Sequence, residues 1–187
     1  MINEPKSPRL IILEQLEGGC IELFSEYGIS LQLSNSTVQE SNCLLINNPG
    51  FIALISMTNP ELRLTVALQT QKAVLEASFP SEQKVTALQQ LQDWIGELSN
   101  QLAGRLKNKM RLYDCQLNLG IPTVIQGDNM YLDLPKRSEI SQHSFTTSAG
   151  QILLLNLTTQ IGNRVVFCEP DTYQNEEALD EGEMMFF

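Results

Sequence analysis

The sequence is poor in the groups that most often carry chemistry on their own. It has one histidine, His143, and its cysteines, Cys20, Cys43, Cys115 and Cys168, are scattered with no Cys-x-x-Cys pair. Metal-ligand spacing is therefore absent, so no metal site is expected, and free, mostly buried thiols in a reducing compartment are. There is no Gly-x-Ser-x-Gly elbow, no Gly-rich phosphate loop ending in Lys-Ser/Thr, and no histidine or cysteine paired as base and nucleophile. Basic residues are scarce as well. Lys and Arg total 12 against 22 Asp and Glu, and the net charge of -10 repels phosphate backbones and anionic lipid. Nucleic acid and membrane surfaces are thus poor partners. No run approaches the roughly 20 apolar residues a bilayer span needs. The opening MINEPKSPRLIIL lacks a basic segment leading into a long apolar run and cleavage site, so a cytoplasmic setting is expected.

What is present is 42% hydrophobic residues over a 187-residue chain, enough for one substantial core. The most informative stretch runs from Ser81 to Met110. Val85, Leu88, Leu91, Ile95, Leu98, Leu102, Leu106 and Met110 recur every three or four positions, the period of one long amphipathic helix. Ser81 is placed to cap it, with Glu82 in the first turn. At roughly 100° per residue, Asp93, Glu97 and Asn100 fall within an arc of about 60°, nearly opposite the apolar stripe. They share one solvent-facing patch. Gly96 and Gly104 lie beside that row, each costing about 1 kcal/mol relative to alanine in a helix interior. Close approach of something outside the helix, a helix-helix contact and simple tolerance all account for them.

Along the rest of the chain, Leu10 to Phe24 reads as a helix ending near Tyr27-Gly28, with Gly18-Gly19 read as tight packing in preference to a break. Ile29 to Leu33 alternates as a strand, closed by a turn at Ser34-Asn35-Ser36-Thr37. Cys43 to Ile46 and Phe51 to Met57 read as a hairpin around Asn47-Asn48-Pro49-Gly50. Leu62 to Leu68 is a half-buried strand, and Gln71 to Ser78 a short helix. Strand character returns over Leu112 to Ile125, where Pro122 must sit at an edge, a bulge or an outer end because it donates nothing to a ladder. Met130 to Leu134 is a short strand and Pro135 to Gln142 a polar loop. His143, in the run SEISQHSFTTS, reads as an exposed loop residue. Phe145 to Thr147, Gln151 to Thr159 and Arg164 to Phe167 complete the strands. Helices interleaved with antiparallel hairpins make an α+β domain over residues 1–168. Residues 169–187 hold seven acidic side chains and no Lys or Arg, the composition of a solvated, disordered tail. Its apolar end, Met184 to Phe187, is compatible with docking on the domain or on a partner.

The spacing Asp93, Glu97, Asn100, Pro122, with GELSNQLAG at Gly96 to Gly104 and LGIPTVIQG at Leu119 to Gly127, resembles the signature of the CheC, CheX and FliY phosphatases of bacterial chemotaxis. That resemblance implies a largely antiparallel sheet with two long helices packed on it, and hydrolysis of the aspartyl phosphate of a CheY-like response regulator. It also implies the roles. Asn100 would position the attacking water, Glu97 would pair with the regulator's active-site lysine, and Asp93, Gly96 and Gly104 would face the partner. Mg2+ would be bound by the regulator, and no cofactor by this chain. Glu14 and Glu17 repeat the spacing of Glu97 and Asn100 without the asparagine, so one active site is expected, as in the CheX-like members, which tend to be homodimers. A non-catalytic module that binds a response regulator or serves assembly on the same fold is the alternative.

Overall fold

The structure, a computed structural model, describes residues 7–40, 43–46, 50–80, 87–127, 130–133, 139–162, 165 and 167. The first helix, α1 (Pro8–Glu26), starts where Ser7 accepts the Leu10 N–H and where Pro8 supplies a helical φ at a position whose N–H would have no intrahelical partner. It stays helical through Gly18 and Gly19. Gly19 is buried, its missing Cβ facing Leu102 and Arg105 of the long helix α3 (Leu88–Arg111), so the packing reading of that pair holds. Glu26 pairs with Arg105, and Glu22 with Lys109 at 2.9 Å, clamping the two helices along their contact. A short helix, α2 (Lys72–Ser78), packs against α3. Among the described residues no helix is long and apolar enough to cross a membrane.

The strands are β1 (Leu31–Glu40), β2 (Cys43–Ile46), β3 (Gly50–Thr58), β4 (Leu62–Thr70), β5 (Asn118–Leu119), β6 (Thr123–Gly127), β7 (Met130–Asp133), β8 (Glu139–Thr147) and β9 (Ile152–Ile161). Seven form one antiparallel sheet in the order β1-β8-β9-β4-β3, with β5 and β6 both on the outer edge of β3; β2 and β7 pair separately. The order reads alike from either edge. β4 pairs with β9 at the centre, β3 and β8 flank them, and the edges are β6 and β1. The chain thus folds as two related halves, each a long helix followed by its strands, which gives the faint Glu14/Glu17 repeat a topological basis. Leu64, Val66, Leu68, Leu153, Leu155 and Leu157 alternate along β4 and β9 into a core shared with Leu16, Leu23 and Phe24 of α1 and Ile95, Leu98 and Leu102 of α3.

Several local expectations are corrected. The Cys43 to Ile46 segment does not pair with β3, because β4 occupies one edge of β3 and β5 with β6 the other; it pairs with β7 instead. The polar stretch Ser34 to Thr37 is no turn but part of β1, which shifts register between Leu33 and Asn35; its polarity reflects an edge strand with residues 32–38 exposed. The run from Glu139 is strand β8 rather than loop, anchored by Arg9, which pairs with Glu139 and donates to Ser141 Oγ at 2.7 Å. Neither Val165 nor Phe167 lies in a strand, and the tail 169–187 falls outside the described residues.

His143 is buried in β8 rather than exposed, 3.4 Å from Glu17 of α1, an ion-pair separation that is no hydrogen bond. Burial pushes its pKa below the ordinary 6.5, with Glu17 pulling the other way. Below about pH 6.5 the unfolded chain takes up a proton that the native state resists, so stability falls on acidification toward the lowered native pKa. Urea melts between about pH 7.5 and pH 5.5 are expected to show this loss, and a His143→Gln variant a flatter profile. An unchanged slope in that variant would rule out the assignment.

Candidate functional site

The site is built on α3. Its first described turn begins at Leu88 with Ala87 as N-cap, whose N–H donates to Gln90 Oε1 at 3.4 Å; Ser81, Glu82 and Val85 lie outside the described residues. The helix is thus shorter than the apolar period suggests, and Leu88 is half exposed. From Leu91 onward the stripe is buried as its spacing predicts, and Trp94, Ser99 and Ala103 widen the packed face. Lys109 and Arg111 in the last turn complement the helix dipole.

On the opposite face Asp93, Glu97 and Asn100 are all exposed. Gln89 Nε2 donates to Asp93 Oδ1 at 2.9 Å, and Gln101 Nε2 donates to Glu97 Oε1 at 2.8 Å, both as four-residue neighbours along the helix. Among the described residues no hydrogen bond engages the Asn100 carboxamide, so both its donor and its acceptor face solvent. These side chains line one side of an open groove of about 420 Å³, with Pro122 and Val124 on the other. Among the described residues no lysine or arginine lines it, so Asp93 and Glu97 give it a negative character suited to a cationic group.

The groove's second wall follows from the break between β5 and β6. Gly120 N–H donates to Ser56 O at 2.7 Å, so close that a Cβ at Gly120 would stand 3.1 Å from that oxygen. Pro122 ends the interruption on the outer edge of β3, where its missing donor costs nothing, as expected of proline at an edge or bulge. Ile121, beside it, is 90% exposed.

Gly96 and Gly104 prove different in kind. Gly96 is buried and lines the groove, and a Cβ there would sit 3.3 Å from Val124 Cγ2, so the close approach that favours glycine comes from this chain's own β6. Gly104 has open space, and a Cβ added there would meet nothing within 4 Å. Sequence reasoning missed Gln101 and Tyr27, which support Glu97, and Gln92, which bonds across the groove to Gln126 at 3.4 Å. Gln101 carried a signal, since it lies four residues after Glu97 on the same face; Tyr27 carried none, being 74 residues from Gln101 in the chain.

The CheX family model, described as chemotaxis phosphatase CheX, matches residues 50–146, which is 97 of the 187 residues and includes all of α3 and the groove. No curated protein sequence matches. Among solved structures, the chain is similar to a CheC-like superfamily protein from Shewanella sp. PV-4, with a TM-score of 0.70 and 14% identity over 80% of this chain and 97% of that one. It is similar to the chemotaxis protein CheX from Desulfovibrio desulfuricans at a TM-score of 0.67 and 17% identity, over 80% and 99% of the two chains. A third similarity is to a chain of the CheX-CheY-BeF3-Mg2+ complex from Borrelia burgdorferi, with a TM-score of 0.58 and 15% identity over 80% and 97%. These likenesses bear on the fold, which they share across nearly the whole of each solved chain. With more than half of its length matched by the family model, from β3 through the groove to β8, the chain belongs to the CheX family.

Proposed function

We propose that this protein dephosphorylates the aspartyl phosphate of a CheY-type response regulator, with α3 entering the regulator's active-site pocket. The observation that carries the reading is the exposed pair of Glu97 and Asn100 on one helical face beside Pro122, the asparagine unengaged by any described residue of its own chain. An acyl phosphate already has a good leaving group, so the catalyst's task is to hold a water in line with phosphorus and exclude other geometries. A carboxamide suits that task. Asn100 Oδ1 would accept a proton of the water while its N–H donates to a phosphoryl oxygen, positioning without proton transfer. The Glu97 carboxylate would pair with the regulator's lysine and fix the approach of the helix. Mg2+, which supplies charge neutralisation at the phosphate, would be the regulator's.

Asp93 extends the same acidic row and would orient the encounter, with Gly96 keeping the groove wall low. Support for a regulator as partner also comes from the family membership and from the CheX chain of similar fold that is crystallised with CheY. The test is the lifetime of the phosphate on purified CheY-type regulators of the same organism, each labelled with acetyl phosphate and Mg2+. The lifetime is expected to shorten when this protein is added to its cognate regulator. Unchanged lifetimes together with tight binding would instead favour a non-catalytic binding module.

A further inference from the structure

We infer that Tyr27 and Gln101 are positioning residues for Glu97, a two-bond relay that holds its carboxylate in one orientation before any partner arrives. The inference rests on the docking role given to Glu97 above. A glutamate on an open helix face ordinarily samples many rotamers, and fixing it on binding costs conformational entropy. Here one oxygen is already held. Gln101 Nε2 donates to Glu97 Oε1 at 2.8 Å, and Tyr27 O–H donates to Gln101 Oε1 at 2.9 Å. The carboxylate only accepts and so takes the Nε2 end of the Gln101 amide, and the tyrosine hydroxyl holds the amide's other end in place. Reversed, the amide would set its oxygen against a carboxylate oxygen.

Tyr27 can serve as an anchor because it is itself confined. It caps the C-terminus of α1 and meets Trp94 edge to face, with ring centroids 4.9 Å apart and planes at 88°. Trp94 is pinned in turn, its indole N–H donating to Ser78 Oγ at 3.0 Å, and Ser78 donating to the Leu75 carbonyl at 3.3 Å. The support thus runs from α2 through buried Trp94 and half-buried Tyr27 to the groove. Arg105, one turn beyond Gln101, is occupied by Glu26. Among the described residues no cation of this chain pairs with Glu97, and its Oε2 accepts no hydrogen bond, leaving that oxygen for the partner's ammonium.

Tyr27→Phe removes the hydroxyl and keeps the ring against Trp94, so thermal stability should fall by no more than one net hydrogen bond contributes. Binding of full-length protein to a CheY-type regulator trapped with beryllofluoride and Mg2+ is expected to weaken by about fivefold, the scale of the entropy spent in fixing one long side chain on association. The loss should appear in KM with kcat kept. In a Glu97→Ala background the same substitution should change nothing, because the group it positions is gone. No loss in the wild-type background, or an equal loss in both backgrounds, overturns the relay. A partner-free readout separates this from the function itself: the Gln101 side-chain NH2 resonances should shift in Tyr27→Phe and in Glu97→Ala. If they shift while no regulator is bound or dephosphorylated, the relay stands and the reading of Glu97 as a docking group fails; if they shift in neither variant, the relay is overturned.

Discussion

Asn100→Ala is expected to return the phosphate lifetime of the cognate regulator to its value without this protein. The loss in kcat should be on the order of a hundredfold, the scale on which misplacing a reacting group by about 1 Å acts. Binding should survive, since the carboxamide is given a role in the reaction and Glu97 a role in docking. Folding should survive too: the side chain is exposed, has no hydrogen-bond partner among the described residues, and a surface change of this kind moves stability by about 0.5 kcal/mol or less. Asn100→Asp sharpens the test because it preserves shape while replacing the N–H donor by a second oxygen, which the phosphoryl oxygens repel. It should be as inactive as alanine. Full activity in either variant, measured as phosphate release at saturating regulator, would remove Asn100 from the reaction.

Glu97→Lys should act on the other half of the interaction. It replaces an expected attraction to the regulator's lysine by a repulsion, and charged partners at the centre of an interface typically shift affinity by about 2 to 5 kcal/mol. A rise in KM of about thirtyfold or more follows, with little change in melting temperature. Glu97→Gln, which keeps the size and removes the charge, should lie between. Its affinity should also depend less on salt than that of the wild type, because the screened attraction is gone. Equal salt dependence in wild type and Glu97→Gln would place the docking charge elsewhere, with Asp93 the neighbouring carboxylate to test next.

What could be read from the sequence follows the range of the interactions involved. The stripe from Leu91 to Met110 fixes the inward face of α3 by local periodicity alone, and with it the outward row of Asp93, Glu97 and Asn100. Pro122 signals an interruption because its chemistry forbids a ladder bond wherever it lies. Strand partnership is not legible, since a turn signal at Asn47 to Gly50 says where the chain bends and not which strand wins each edge of β3. The burial of His143 is hidden for a related reason. Its neighbours Gln142 and Ser144 are polar, yet in a strand the alternate residues face the other way, and His143 shares its face with buried Phe145. The support of Glu97 by Tyr27 depends on how α1 lies against α3, which only the folded chain brings together. Gly96 shows the limit of local reasoning most plainly: the helix carries a glycine there because Val124, 28 positions later, comes close to it.

The most direct measurement is a crystal structure of this protein with a CheY-type regulator loaded with beryllofluoride and Mg2+. The proposed function requires α3 in the regulator's pocket, with the Asn100 carboxamide within hydrogen-bond reach of the beryllofluoride and Glu97 Oε2 on the lysine ammonium. A regulator seated on the β1 edge or on α1, with both side chains left in solvent, would contradict it.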